Sequence, residues 1–171
     1  MPLDDQNELF YLVDTSDNVL GSIPRGQAHA DKTKIHRAVY VLITNQKHQI
    51  LLQKRSQKKD SNPGFWTISI SGHVTYGQTW EQATAREIKE EAGLDIDRFK
   101  LLASYLHSNS QETEYCRVYQ ADYNNQPLTP DPDEVDELRW VNLQDLPQFI
   151  ATHKFTEWAK RSLQESAYLS K

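Results

Sequence analysis

The sequence predicts an α/β fold, a sandwich of helices packed on a mixed β-sheet. Three features point there. Apolar, β-branched runs of strand length recur along the 171 residues. One of them, Ala38-Val39-Tyr40-Val41-Leu42-Ile43, is apolar almost without interruption, the pattern of a central strand covered on both faces. Two or three helical segments are interleaved with the strands, which argues for layers of helix and sheet.

The elements follow in order. Leu9-Phe10-Tyr11-Leu12-Val13 reads as a strand, Ser16-Asp17-Asn18 as a turn, and Val19-Leu20 as the return. Residues 26–34 are polar and read as irregular. After the central strand, Asn45-Gln46-Lys47-His48 turns the chain into Ile50-Leu51-Leu52-Gln53. A Lys/Arg/Ser-rich loop then leads through Asn62-Pro63-Gly64 to a short strand over residues 66–70. Thr79 and Gln82 make a capping-box pair and Gly93 suits a left-handed stop, so residues 79–92 are expected to be a helix. Strand-like runs return at 101–106, 115–121 and 138–141, with a turn-rich loop at 124–132. Phe155, Trp158, Ala159 and Leu163 fall at helical spacing, which predicts an amphipathic C-terminal helix.

A length of 171 residues fits one domain over 1–171, with residues 1–8 expected to form a flexible tail. The formal net charge of −5 gives no electrostatic reason to bind a nucleic-acid polymer or an anionic membrane. Cys116 stands alone, so no internal disulfide forms and a reducing, cytoplasmic setting is expected. The acidic start carries no signal-peptide core, and no apolar run reaches the roughly 20 residues that span a bilayer.

The chemistry concentrates on the helix at 79–92. Glu87, Glu90 and Glu91 share one face, while Ala85, Ile88 and Ala92 lie on a largely opposite, apolar one. Adjacent like charges cost roughly a few tenths of a kcal/mol per pair, a cost that a hard divalent cation reverses. Magnesium or manganese suits such oxygen donors. Read alone, Glu-x-x-Glu-Glu is first of all a solvated acidic face.

The surroundings of those residues carry a resemblance. Gly72, Arg86, Glu87, Glu90, Glu91 and Gly93 fall at the spacing of the Nudix box, and residues 72–94 resemble that signature throughout. The resemblance implies a Nudix-type α/β/α sandwich and a metal-dependent hydrolase that cleaves a phosphoanhydride bond of a nucleoside diphosphate-linked or related small-molecule diphosphate. Glu87, Glu90, Glu91 and Arg86 are then catalytic, with the three glutamates on the metal. The box's first glutamate is here Gln78, which carries no charge but retains an oxygen able to accept a hydrogen bond from Arg86. That substitution favours a third reading, a Nudix-fold ligand sensor without turnover.

Outside the box, residues 10–145 resemble the isopentenyl-diphosphate isomerase branch of the same superfamily. The match includes Ile35-His36-Arg37-Ala38, Ser71-Gly72-His73 and Glu112-Thr113-Glu114-Tyr115-Cys116. It implies a second metal site, for manganese or zinc, made by His29, His36, His73, Glu112 and Glu114. It also makes isomerisation the alternative activity. That activity needs a thiol where this chain has Ser71, and a hydroxyl is a much poorer acid near neutral pH. Cys116 matches a different position and reads as a small buried apolar residue. Glu112, Glu114 and Glu134 remain candidates for the general base, Glu114 being the one placed with the catalytic set. Arg55, Lys54 and Arg37 are the expected phosphate contacts.

Overall fold

The computed structural model describes residues 5–110 and 112–170. Residues 1–4 of the expected tail lie outside the described residues, whereas Asp5 to Glu8 form a turn tied down by backbone bonds. Gly26 N–H donates to Gln6 O at 3.0 Å and Arg25 N–H to Glu8 O at 2.8 Å.

Strand β1 (Leu9–Val13) and strand β2 (Val19–Pro24) form the expected antiparallel hairpin. A single helical turn, α1 (Arg25–Ala28), opens the stretch read as irregular and delivers His29 at its end. Strand β3 (Ile35–Thr44) is the hub: it pairs β1, runs parallel to β8 (Thr113–Asp122) over ten residue pairs, and runs antiparallel to β6 (Ile70–His73). Strand β8 in turn pairs β7 (Phe99–Ser108). Strand β4 (Gln49–Arg55) pairs β9 (Val135–Asn142) and the two-residue β5 (Trp66–Thr67). One parallel pair among antiparallel ones makes the sheet mixed, as the sequence predicts.

The strand expected over 66–70 is instead two strands with a break at Ile68 and Ser69. The break has a local cause. Strands β3 and β4 touch in register only at Thr44 and Ile50, and Ser69 fills the gap between them. Its Oγ accepts from Ile43 N–H at 2.8 Å and donates to Leu51 O at 2.6 Å, so one side chain stands in for a ladder bond.

Alternation along β3 splits the core in two. Ala38, Tyr40 and Leu42 pack with Cys116, Val118, Ala159 and Leu163 beneath helix α4 (Glu157–Glu165). Val41 and Ile43 pack with Ile70, Ile88 and Ala92 beneath helix α2 (Trp80–Ala92). Helices therefore cover both faces, the expected α/β/α sandwich. Helix α3 (Leu146–Thr152), which the apolar spacing did not announce, starts with a proline in its first turn and precedes α4. Among the described residues, no helix is long and apolar enough to cross a membrane.

Candidate active site

Helix α2 begins as its sequence predicts. Gln82 N–H donates to Thr79 Oγ1 at 3.1 Å, Thr79 N–H donates to Gln82 Oε1 at 2.9 Å, and Gly93 stops the helix at φ 72°. The carboxylate and apolar faces are adjacent rather than opposite. Glu87, Ile88, Glu91 and Ala92 are all buried, Ala85 only half so, and Glu90 stays exposed. At 3.6 residues per turn, Ile88 and Glu91 lie within one broad stripe, so the face that packs on the sheet also carries two acids under it.

Strand β6 is shaped to receive them. A Cβ at position 72 would stand 2.0 Å from the Glu87 carboxyl carbon, so only glycine lets Glu87 lie against this strand. Glu91 Oε2 accepts from Ser71 N–H at 3.0 Å and from Gln53 Nε2 at 2.9 Å. Burial raises both acids: Glu87 well above the usual carboxylate range, opposed by Arg86, and Glu91 up to about 7, opposed by those two donors. Arg86 reaches Glu87 at 2.8 Å, Glu90 at 2.9 Å and the His73 carbonyl at 3.0 Å. Gln78 takes no bond from it. Its Oε1 is buried with no hydrogen-bond partner among the described residues, so its capacity to accept from Arg86 is not used.

The five predicted His/Glu ligands meet at one end of the sheet. The β3–β8 register sets His36 beside Glu114, and the β3–β6 register sets Ala38 beside His73. One donor atom each from His29, His36, His73 and Glu112 lies within 4.8 Å of all the others. Glu112 is 3.3 Å from His29 Nε2, and Glu114 Oε1 is 3.3 Å from His73 Nε2 and 3.8 Å from His36 Nε2. Phe10 stacks on His73 at 4.5 Å and on His36 at 5.4 Å between ring centroids, holding both imidazole planes. The second Glu114 oxygen accepts the Tyr40 hydroxyl at 2.6 Å.

The donor set fits a divalent cation. His36 is fully buried, and its Nε2 has no hydrogen-bond partner among the described residues. Burial, reinforced by repulsion from His73, pushes its pKa down to about 3, so the ring is neutral at physiological pH. Its Nδ1 faces the Lys34 carbonyl at 3.5 Å, which leaves Nε2 as the lone-pair nitrogen. Burial and the neighbouring Glu114 raise Glu112 to about 7, a cost that a bound cation removes.

Glu87, Glu90 and Glu91 and, of the His/Glu set, His29, His73, Glu112 and Glu114 line one cavity of about 650 Å³, with His36 fully buried behind them. Of the expected phosphate contacts, only Arg55 lines it, with Nε donating to Ser61 O at 3.0 Å. Arg37 and Lys54 are not brought there, and strand alternation is the reason in each case. Arg37 leaves β3 on the face opposite His36, where Asp17 holds it at 2.6 Å beneath Tyr11 and Trp80. Lys54 points away from the face that carries Gln53 and Arg55. Glu134 does line the cavity, ion-paired with Lys59 at 2.7 Å, while Glu137 turns to Arg139. Sequence reasoning missed Tyr40, Gln53, Arg25 and Trp158, and it saw Lys59 only as part of a basic cluster with Lys54, Arg55 and Lys58. Tyr40 carried one signal, its position four residues after His36 on the same strand face.

The chain matches the NUDIX domain family over residues 34–165. It is 33% identical over 168 residues to isopentenyl-diphosphate Delta-isomerase 2 of Photorhabdus laumondii, covering 95% of this chain and 94% of that one. It is 32% identical over 171 residues to an isopentenyl-diphosphate Delta-isomerase of Corynebacterium diphtheriae, covering 94% and 93%. Among solved structures, the DR0079 protein of Deinococcus radiodurans superposes with a TM-score of 0.76 at 25% identity, over 92% of this chain and 98% of that one. A MutT protein of Methanosarcina mazei shares the fold at a TM-score of 0.66 and 21% identity, over 80% and 96%.

Proposed function

The chain belongs to the Nudix superfamily, in its isopentenyl-diphosphate isomerase-like branch, and from that premise we propose a metal-dependent hydrolase that cleaves a phosphoanhydride bond of a nucleoside diphosphate-linked or related diphosphate. One observation carries the choice of reaction. Glu87, Glu90 and Glu91 all line the cavity, while the position that isomerisation needs as a thiol is the hydroxyl of Ser71.

Divalent cations held by Glu87, Glu90 and Glu91, and by His29, His36, His73, Glu112 and Glu114, would neutralise the diphosphate and acidify a water. Arg55, Lys59 and Arg25 stand on the cavity wall as donors for the phosphate oxygens. Of the three general-base candidates read from the sequence, Glu112 and Glu114 stand against the histidines, which leaves Glu134, paired with Lys59 on the cavity wall, to take a proton from the attacking water. Arg86 orients Glu87 and Glu90 and fixes strand β6 through the His73 carbonyl.

A second reading, isomerisation of isopentenyl diphosphate, is supported more directly by the names of the relatives than hydrolysis is. One pair of assays separates the two. Hydrolysis releases orthophosphate or a monophosphate from a panel of nucleoside diphosphate-linked compounds with magnesium or manganese present. Isomerisation incorporates deuterium into isopentenyl diphosphate in heavy water. Phosphate release without exchange is the expected result, and efficient exchange by the native protein reverses the order of the two readings.

A further inference from the structure

Tyr40 lies in the middle of β3 and is 3% exposed, yet it lines the cavity. Three neighbours hold it there. Its hydroxyl donates to Glu114 Oε2 at 2.6 Å. Its ring stacks on Trp158, with centroids 5.1 Å apart and planes 14° from parallel. Its cross-strand partner is Ser71, and such partners project from the same face with their Cβ atoms about 5 Å apart. The phenol ring therefore fills the space bounded by Ser71, Glu114 and Trp158.

That space matters because the rest of the wall is polar or charged. Apart from the histidines, Trp158 and Tyr40 are the aromatic rings that line the cavity, and each covers the other. A ligand's apolar tail entering beside Ser71 would need the Trp158 surface that Tyr40 already occupies.

We propose that Tyr40 is a specificity-determining plug that fills the apolar subsite against Trp158, so that the cavity binds diphosphates through their phosphates and gains nothing from a prenyl tail. This deepens the hydrolase reading and rests on it. Tyr40 also engages one oxygen of Glu114, which keeps that carboxylate directed at the histidines rather than at a carbon acid.

The test compares inorganic pyrophosphate with isopentenyl diphosphate as probes, by calorimetry on manganese-loaded protein. Native protein should bind the two within about three-fold of each other. Tyr40→Ala, once its melting curve shows that it folds, should bind isopentenyl diphosphate roughly ten-fold tighter than pyrophosphate, since burying even two carbons against Trp158 is worth that much. Tyr40→Leu reads the same opening if alanine leaves the core too loose. Tyr40→Phe keeps the ring and should keep the native ratio, which separates the plug from the hydroxyl's bond to Glu114. A native preference of ten-fold or more for the prenyl compound overturns the proposal, as does a folded Tyr40→Ala or Tyr40→Leu without one. The affinity ratio, read from the first injections before turnover accumulates, and phosphate release are separate measurements, so a native protein that binds both probes alike but releases no phosphate from any diphosphate keeps the plug and loses the hydrolase reading.

Discussion

Glu87, Glu90 and Glu91 share a helical face, yet the cavity uses them unequally. Glu90 extends into solvent with Arg86, while Glu91 is buried with its oxygen fixed by Ser71 N–H and Gln53. A buried carboxylate raised to about 7 is costly to ionise, and a cation that takes the place of its proton removes that cost. Glu91→Gln is therefore expected to lower turnover by roughly 10²- to 10⁴-fold while raising the melting temperature of metal-free protein. A native rate in the variant would end the hydrolase assignment. The same scale shows what single residues reveal before a fold is known. The five His/Glu candidates could be named because their order matches the isomerase branch of the superfamily, not because residue type or spacing alone singles them out. Tyr40 and Trp158 could not, since an aromatic ring in an apolar strand or helix stripe reads as core. Arg37 misled for a simpler reason. Its neighbour His36 joins the His/Glu cluster, and adjacent residues of a strand face opposite ways.

At the level of elements, helix α2 and strand β6 form one device. The capping box and Gly93 set the ends of α2, and all three were legible because they are local chemistry. The pairing of β6 with β3, and the interruption at Ser69 that allows it, were not, because they depend on strands far apart in sequence. Gly72 joins the two elements, since a methyl there would stand 2.0 Å from the Glu87 carboxyl carbon. Gly72→Ala should thus displace Glu87 and weaken manganese binding at the helix at least ten-fold, with about 1–3 kcal/mol of lost stability from overpacking. Calorimetric metal titration against denaturant unfolding checks both halves. Gln78 tests the start of the same helix. Its buried oxygen lacks a partner, and a carboxylate there would lie within a turn of the positive helix end. Gln78→Glu should raise turnover with magnesium. An unchanged or lower rate would mean that the site works around the neutral amide.

Across the whole molecule, the two ligand groups share one cavity and hence one electrostatic problem. Nine carboxylates line it against four permanently charged cations, Arg25, Arg55, Lys59 and Arg86. The metal-free protein answers by holding protons. Burial raises Glu91 and Glu112 to about 7 and pushes Glu87 up as well, so in this window the folded state binds more protons than the unfolded chain, whose glutamates titrate near 4.5. Stability contributed by these groups is accordingly lost as pH rises from about 4.5 through 7. His36 acts in the opposite sense. Its pKa falls from 6.5 to about 3, so the unfolded chain binds the extra proton and stability is lost as pH drops below 6.5. Three carboxylates outweigh one imidazole between pH 5 and 6.5, and above 6.5 the carboxylates act alone. The melting temperature in chelator should therefore fall from pH 5 through about pH 7. Manganese binds the deprotonated ligands of the folded state only, so at saturating metal the stabilisation grows with pH and the slope should reverse. Thermal melts at matched ionic strength, with chelator and with manganese, give both slopes directly. A chelator profile that is flat or rising up to about pH 7, or identical slopes in the two series, would mean that the buried carboxylates and the metal ligands are not the same groups.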